Sequence, residues 1–523
     1  MLSFLLLLAT TLATDFNANA VRAHVKFLSS DLLEGRGPGT RGDALATGYI
    51  AAQFESYGLE TTLQKVSLLG ITTDESKTEV AFTKDGKALG APLKYRDQFA
   101  GGDQTQGTES PLDSEVVFVG HGVVAPEYRW DDYKGLDTRG KTLVMLVDDP
   151  PASASEPDLF KGRARTYYGR WTYKFETGTA KNAQAVILVH TSDAAGYGWQ
   201  VVRNSWSGEQ AYVRKPAGEH GLSLAAWITE PVAQELFRAS GHDLAALTKA
   251  AASRDFKPVP LGIRLKGHIG STIRAFDTAN VVAKLEGSDA KLKNEAVLYS
   301  AHHDHLGIGS PDPADPGDAI YNGALDNASG VATLLELARV WSSTTPRPKR
   351  SIYFAAVAAE EQGLLGSRYL AAHPPIPAEN IALGINLDEL YFFGDVQSVV
   401  MLGVERTTFF PTAQAVTKEL GLTIMPDQAP EQGSYYRSDH FSFGKVGVPA
   451  FTIKQVAGSD AQRAFFKDFK DKRYHQPNDE FDPSWNFASV SQIARLAFRL
   501  GEEAANAAQP SSWLPGDEFA RKK

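Results

Sequence analysis

The stretch AVLYSAHHDHLG, residues 296–307, decides the fold because an apolar run changes abruptly into histidines and an aspartate. Two later stretches repeat this pattern, SIYFAAVAAEE at 351–361 and IALGINLDE at 381–389. A helical pattern from Val331 to Trp341 separates the first two. Near-continuous apolar strands alternating with helices are typical of a parallel sheet covered on both faces. We therefore predict an α/β fold with a largely parallel sheet.

Acidic and imidazole side chains follow each predicted strand at its carboxyl end. His302 to His305 follow the first, Glu360 and Glu361 the second, and Asp388 the third. Ligands of such sheets bind beyond the carboxyl ends of the strands. The chain has no cysteine, so any metal must be held by His, Asp and Glu, a donor set that suits zinc. These positions predict a metal site, although each histidine alone could also be an ordinary loop residue.

The pair Glu360–Glu361 is the sharpest of these signals. Adjacent carboxylates at the end of a buried strand repel each other unless a cation lies between them. One glutamate that binds metal and one that transfers protons would resolve this conflict. Asp326, in GALDNASG at 323–330, is open to two interpretations, a metal ligand or a cap of the following helix. Asp304 lies two residues from His302 and suits the role of orienting that imidazole.

Length and composition exclude several classes of protein. The chain of 523 residues suggests two or three domains, and its 43% hydrophobic and 22% charged residues are ordinary for a globular protein. The net charge of −9 disfavours a nucleic-acid or anionic-membrane partner, and we predict neither. Oligomeric state stays open.

The first thirteen residues, MLSFLLLLATTLA, form an apolar run that is too short to span a bilayer. Polar residues follow it, which is typical of a secretory signal peptide. We therefore predict export to a periplasm or the medium, with no membrane anchor in the mature chain. A buried N-terminal helix is the alternative.

Six short motifs follow one another along the chain: AHHDHLG, GALDNASG, AAEEQGLLGS, NLDE, RSDHFSF and YHQPNDEFD. They resemble the co-catalytic di-zinc aminopeptidase family, which is related to glutamate carboxypeptidase and glutaminyl cyclase. The resemblance covers about residues 20–60 and 279–505. It implies the zinc-peptidase fold, a mixed and largely parallel sheet with helices on both faces.

The same resemblance suggests how the chain is divided. Residues 14–111 and 262–508 would form a discontinuous zinc peptidase domain after the signal peptide, 1–13. Residues 112–261 look like an α+β protease-associated insert, on their layout and on TAKNAQAVI at 179–187. Residues 509–523 form a polar tail, which we expect to be frayed after Pro510.

The resemblance also implies a role for each matched residue. Two zinc ions would be bound, one by His302 and Asp388, the other by Glu361 and His475, with Asp326 bridging both. Glu360 would be the general base that takes a proton from the bridging water and passes it to the leaving amine.

Two further residues match positions near the substrate. Tyr474 would stabilise the oxyanion, and Arg437 would lie near the substrate. The resemblance also implies a cis peptide bond after Asp326. His303 and His305 have no ligand role in the pattern and are interpreted as local structure.

The preferred function is an exported di-zinc aminopeptidase that acts on peptide substrates. A metallocarboxypeptidase of the same family is an alternative, for which Arg437 alone offers a cationic pocket. A transferase of the glutaminyl cyclase type would work with one metal, and the complete bridging set argues against it. A non-catalytic receptor module is disfavoured because Glu360 and all five ligands are present.

Overall fold

The structure is a computed structural model that describes residues 15–216, 218–309 and 316–521, so the predicted signal peptide lies outside these ranges. The chain divides into two compact units. The first contains residues up to 66, 277–428 and 437 onwards, and the second contains 67–276 and 429–436. The predicted insert, 112–261, lies inside the second unit, which extends beyond it on both sides. Its assignment as a protease-associated domain remains a prediction.

The described strands, numbered along the chain, are β1 (Glu60–Thr73), β2 (Glu79–Lys84), β3 (Lys87–Ala88), β4 (Phe99–Gly102), β5 (Glu109–Phe118), β6 (Val124–Ala125), β7 (Trp130–Asp131), β8 (Thr142–Leu146), β9 (Ala185–His190), β10 (Gln210–Val213), β11 (Leu224–Thr229), β12 (Val259–Leu285), β13 (Ala296–His302), β14 (Gly307–Ile308), β15 (Ile320–Tyr321), β16 (Ser351–Val357), β17 (Ile381–Asn386), β18 (Ser398–Leu402), β19 (Thr423–Ile424) and β20 (Ala450–Val456).

The described α-helices, numbered in the same way, are α1 (Ala18–Leu28), α2 (Arg41–Ser56), α3 (Trp171–Ala180), α4 (Ser192–Ala195), α5 (Trp199–Trp206), α6 (Glu230–Ser240), α7 (Leu244–Ala251), α8 (Ser329–Ser343), α9 (Leu365–Ala372), α10 (Phe410–Glu419), α11 (His440–Lys445), α12 (Asp460–Asp468) and α13 (Ala488–Asn506).

The sheet of the first unit has the three predicted apolar strands at its centre. Its strand order is β19–β18–β20–β17–β13–β16–β12. β13 pairs in parallel with β16 and β17, and β17 pairs in parallel with β20. β18 runs antiparallel to β20, and β12 runs antiparallel to β16. The predicted mixed, largely parallel sheet is therefore confirmed.

Helices cover both faces of this sheet. Successive side chains of each strand point to opposite faces, so each strand contributes to both cores. Val297 and Tyr299 of β13 belong to the core that includes residues of α1, α2, α8 and α13. Ala296 and Leu298 belong to the core on the other face, with residues of α9 and α11. Burial on both faces explains why these strands are apolar throughout.

The second unit has its own sheet and its own cores. β5, β8, β9 and β11 pair in parallel in that order, while β4 and residues 259–270 of β12 pair antiparallel with β11 and β5. Leu236 and Phe237 of α6 pack on one face, and Phe175 of α3 and Trp206 of α5 pack on the other.

The polar tail differs from the expectation that it is frayed. Trp513 is buried, and Asp517 forms an ion pair with Arg406 at 2.7 Å. An apolar anchor and a charged anchor thus hold the tail against the first unit. Within the described ranges, no helix combines the length and the apolar character needed to cross a membrane.

Candidate metal centre

The carboxyl ends of three neighbouring strands position the predicted site. In the parallel pairing, His302 of β13 lies opposite Val357 of β16, and Ser300 lies opposite Asn386 of β17. Glu360 and Glu361 follow β16 by a few residues, and Asp388 follows β17. This register brings acids that are distant in sequence to one edge of the sheet.

Asp326 lies at the centre of the resulting cluster. It belongs to the π-helical turn Ala324–Ala328 that precedes α8. Its Oδ1 is 3.2 Å from His302 Nε2, and its Oδ2 is 3.3 Å from His475 Nε2. The Asp326–Asn327 peptide bond is cis, as the resemblance implied. Helix capping does not describe Asp326, because α8 begins after it without a side-chain cap.

Each of the two imidazoles also faces a second carboxylate. His302 Nε2 lies 3.4 Å from Asp388 Oδ1, and His475 Nε2 lies 3.2 Å from Glu361 Oε2. The structure therefore brings together all five residues that the sequence predicts as ligands. His475 reaches the cluster from the loop after α12, and its side chain remains 35% exposed.

The spacing of these atoms fits zinc. Two donors bound to one zinc ion at about 2.0–2.1 Å in tetrahedral geometry lie about 3.3 Å apart. The four imidazole–carboxylate separations in the cluster, 3.2 to 3.4 Å, match this value. Three carboxylates and two imidazoles are also the donor types that zinc prefers in the absence of thiolates.

The electrostatics of the cluster also favour a bound cation. Burial lowers the pKa of the His302 imidazole, but the Glu360 carboxylate and the contacts with Asp326 and Asp388 outweigh it. The pKa of His302 is therefore raised well above its usual value, as is that of His475, for which Glu361 and Asp326 outweigh burial. Such a concentration of carboxylates is stabilised by bound cations.

Asp304 is predicted to orient His302, and the structure places it where it can also hold the two glutamates. The His302 Nδ1 atom lies 3.2 Å from the Asp304 carbonyl oxygen. The carboxylate of Asp304 accepts the backbone amides of Glu360 and Glu361, at 3.0 and 3.3 Å. One buried aspartate thus fixes the turn after β16.

Glu360 and Tyr474 border the cluster. Burial raises the pKa of Glu360 well above its usual value; His302 opposes this, whereas Asp439, Glu361 and Asp388 add to it. The Tyr474 ring stacks on the His475 ring, with 4.0 Å between centroids, and its side chain is 37% exposed. Burial of the hydroxyl and the nearby carboxylates raise the pKa of Tyr474 well above its usual value.

Arg437 is not brought into the cluster. Its side chain is exposed, and none of the ion pairs found among the described residues joins it to the five clustered residues. The next residue, Ser438, does reach the cluster, because its hydroxyl donates to Asp388 Oδ2 at 2.5 Å.

Sequence analysis missed the roles of two residues beside the cluster. His305 is fully buried, and its Nδ1 lies 2.7 Å from Glu361 Oε1. With Asp326 and Glu361 it forms a group that could hold a metal ion. Lys454 of β20 donates to the Asp388 carbonyl at 2.7 Å. The third histidine of AHHDHLG was a usable signal for His305, whereas an isolated lysine in a strand gave none.

Comparison with known families and proteins agrees with this geometry. Residues 280–500 match the model of peptidase family M28. A "Probable zinc metalloprotease" of Pyrenophora teres f. teres (strain 0-1) is 40% identical over 127 residues, which are 24% of this chain and 25% of that protein. A "Probable lipoprotein aminopeptidase LpqL" of Mycobacterium tuberculosis is 28% identical over 276 residues, 48% of this chain and 52% of that protein. The chain thus spans between a quarter and about half of the length of these relatives.

A solved structure extends the likeness to almost the whole fold. An aminopeptidase from Aneurinibacillus sp. strain AM-1 superposes with a TM-score of 0.53 at 20% identity, covering 97% of this chain and 98% of that one. This likeness shows a shared fold. The five clustered residues all lie in the segment 280–500, which is the segment that matches the model of peptidase family M28.

Proposed function

We propose that the chain is an exported di-zinc aminopeptidase that removes N-terminal residues from peptides. The observation that carries this proposal is the position of Asp326 between two imidazoles, each of which faces a further carboxylate. A single carboxylate shared in this way suits two metal ions held side by side. The names of the similar proteins support a zinc peptidase and, for one of them, an aminopeptidase.

The proposed ligands divide into two sets around one bridging residue. His302 and Asp388 would hold one zinc ion, Glu361 and His475 would hold the other, and Asp326 would contribute to both. When bound, the zinc pair supplies Lewis-acid polarisation of the scissile carbonyl and makes the attacking water more acidic. The three carboxylates offset most of the charge of two Zn²⁺ and leave the site positive, which favours a developing oxyanion.

Glu360 is the proposed general base. Its backbone amide is anchored by Asp304 at 3.0 Å, next to the amide of the proposed ligand Glu361. In the proposed reaction, it accepts a proton from the attacking water and delivers it to the nitrogen of the leaving amine.

Tyr474 and Arg437 are proposed to contact the substrate. The Tyr474 hydroxyl is protonated at neutral pH, as an ordinary phenol with a pKa of about 10 is, so it is able to donate to the oxyanion. Arg437 is exposed and would contact parts of the peptide away from the scissile bond.

The test compares blocked and free peptides on the zinc-loaded chain, with the zinc content of the same sample measured. Peptides of two or more residues should be cleaved when the amino end is free and resist cleavage when it is acetylated, whereas amidation of the carboxyl end should matter little. The opposite dependence would indicate a carboxypeptidase. Cyclisation of N-terminal glutamine without hydrolysis would indicate a transferase.

Export has a separate test. The proposal rests on the apolar run 1–13, so the amino end of the protein recovered from outside the cytoplasm should begin just after it. An intact amino end in a cytoplasmic protein would refute export and leave the peptidase proposal standing.

A further inference from the structure

The turn that leads to Asp326 departs from regular helical geometry. Gly323 has a φ of +58°, and a Cβ at this position would lie 2.3 Å from the Asp326 carbonyl oxygen. Asp326 and Asn327 themselves have non-helical φ and ψ values. The backbone groups of residues 322–326 therefore need partners from elsewhere in the chain.

Arg36 supplies partners for the carbonyl side of this turn. Its guanidinium donates to the carbonyl oxygens of Asn322 at 2.6 Å and Gly323 at 2.9 Å. It also donates to the carbonyl of His303 at 2.8 Å, inside the segment that bears His302 and His305. The side chain is 1% exposed. One buried cation thus holds two backbone segments of the cluster.

The charge of Arg36 is retained despite this burial. Burial lowers the pKa of Arg36 to about 10, while nearby acids, Asp304 and Asp479 foremost, oppose the shift. Arg36 itself has a φ of +52°, a left-handed conformation in which its side chain points inward. A non-glycine residue in this conformation costs free energy, which its interactions must offset.

Asp479 supplies partners for the amide side of the same turn. Its carboxylate accepts the backbone amides of Leu325 and Asp326, each at 3.1 Å. Its own carbonyl accepts the amide of Ala324 at 2.8 Å. Asp479 is fully buried. Five successive backbone positions, 322–326, are therefore held by the side chain of Arg36 and by the carboxyl and carbonyl groups of Asp479, which come from distant parts of the chain.

We propose that Arg36 and Asp479 are positioning residues that together fix the backbone of residues 322–326, so that the two oxygens of Asp326 face His302 and His475 at once. This inference rests on the proposed function, because it assigns both residues to the metal centre. Arg36 and Asp479 bind no metal themselves in this arrangement. They set the angle from which the bridging carboxylate approaches both metal positions.

Arg350 offers a matched control for Arg36. It is equally buried, and it donates to the carbonyls of Ala504 at 3.1 Å and Ala507 at 2.5 Å as well as to Glu295. Asp132 offers a control for Asp479, because it is buried in the second unit and accepts the Val123 amide at 2.9 Å. Neither control residue contacts the cluster, so both report the general cost of disturbing a buried charge.

The experiment measures zinc affinity against a competing chelator for Arg36→Lys, Arg350→Lys, Asp479→Asn and Asp132→Asn in the full chain. Melting temperatures without metal are measured in parallel. We expect Arg36→Lys and Asp479→Asn to weaken at least one zinc by about 10- to 100-fold, the scale of losses when groups supporting a ligand are removed. The controls should lose thermal stability and keep the zinc affinity of the unmodified chain.

The outcomes separate the two proposals. If the unmodified chain binds two zinc ions and both Arg36→Lys and Asp479→Asn bind them with the same affinity, the positioning role is refuted and the proposed function stands. If the unmodified chain binds no zinc, the proposed function fails first. Should one variant not fold, the other decides, since each residue holds a different side of the turn.

Discussion

The backbone amide of Glu360 donates a hydrogen bond to Asp304 Oδ1 at 3.0 Å. The same carboxylate accepts the amide of Glu361 through its other oxygen at 3.3 Å. Both glutamates are thus anchored by their backbone, which leaves their side chains free for different tasks. Glu361 turns towards His475, as its 3.2 Å contact shows.

This division of tasks predicts different results for the two glutamine variants. Glu360→Gln should keep two zinc ions and lower turnover by at least about 10²-fold, because an amide cannot accept and return a proton. Glu361→Gln should instead lower the zinc content, because it removes a charged ligand. Steady-state kinetics and metal analysis of both purified variants make the comparison.

The pair of variants also detects an inverted assignment. Loss of zinc in Glu360→Gln with retention in Glu361→Gln would exchange the two roles. Nearly normal turnover in Glu360→Gln with both ions bound would show that Glu360 is not the general base.

Metal removal should abolish activity and lower stability together. Chelation removes the binding free energy of the zinc ions and leaves only the imidazoles of His302 and His475 to offset the repulsion among Asp326, Glu361 and Asp388, which destabilises the first unit. We expect peptide hydrolysis to cease, the melting temperature to fall, and both to recover when zinc is added back. Full hydrolysis by a chain shown to be free of metal would contradict the proposed mechanism.

The contact between His305 and Glu361 predicts that substitution of His305 weakens zinc binding. His305→Phe removes the contact at 2.7 Å and leaves Glu361 Oε1 buried without another partner among the described residues. Zinc binding should weaken by about 10- to 100-fold. His305→Asn places an amide close to the position of Nδ1 and should restore most of the affinity. Equal zinc binding by both variants and the unmodified chain would show that His305 is only a packing residue.

His121 in the second unit predicts a dependence of stability on pH. Burial, and after it the nearby Lys174 ammonium, lower the pKa of His121 to about 3 against the opposing effect of the Asp148 carbonyl. In the unfolded chain this imidazole takes up a proton near pH 6.5. As the pH falls from 6.5 towards 3, only the unfolded state is protonated, so the folded state loses stability.

A variant isolates this contribution from that of other titrating groups. Asp132 and Asp149, whose pKa values burial raises to about 6, act in the opposite direction and cancel in the comparison. The difference in unfolding free energy between the unmodified chain and His121→Asn should fall by up to about 1.4 kcal/mol per pH unit below 6.5. Urea unfolding at pH 7, 6 and 5 measures it, and a constant difference would refute the buried, neutral state of His121.

The central strands and the clustered residues could be predicted from the sequence because each has a recognisable residue pattern. Residues 296–302, 351–357 and 381–386 are apolar since they are buried on both faces. The acids and histidines that follow them could not be explained by packing. Their positions after parallel strands then implied a common edge.

Backbone-directed contacts could not be predicted in the same way. Arg36 lies in a loop rich in glycine, and its partners are carbonyl groups that every residue carries. Asp479 likewise binds amides, so no matching side chain reveals its role. The extent of the second unit was also hidden, because β12 runs on without a break from residue 259 to 285.

The order of the proposed ligands along the chain has a consequence for synthesis. His302, Asp326, Glu361 and Asp388 all precede β20, whereas His475 follows it. During synthesis, every described strand is therefore made before His475, the residue proposed to complete the second metal position. If these residues are the ligands, the growing polypeptide carries an incomplete and inactive centre until nearly all of it has been made.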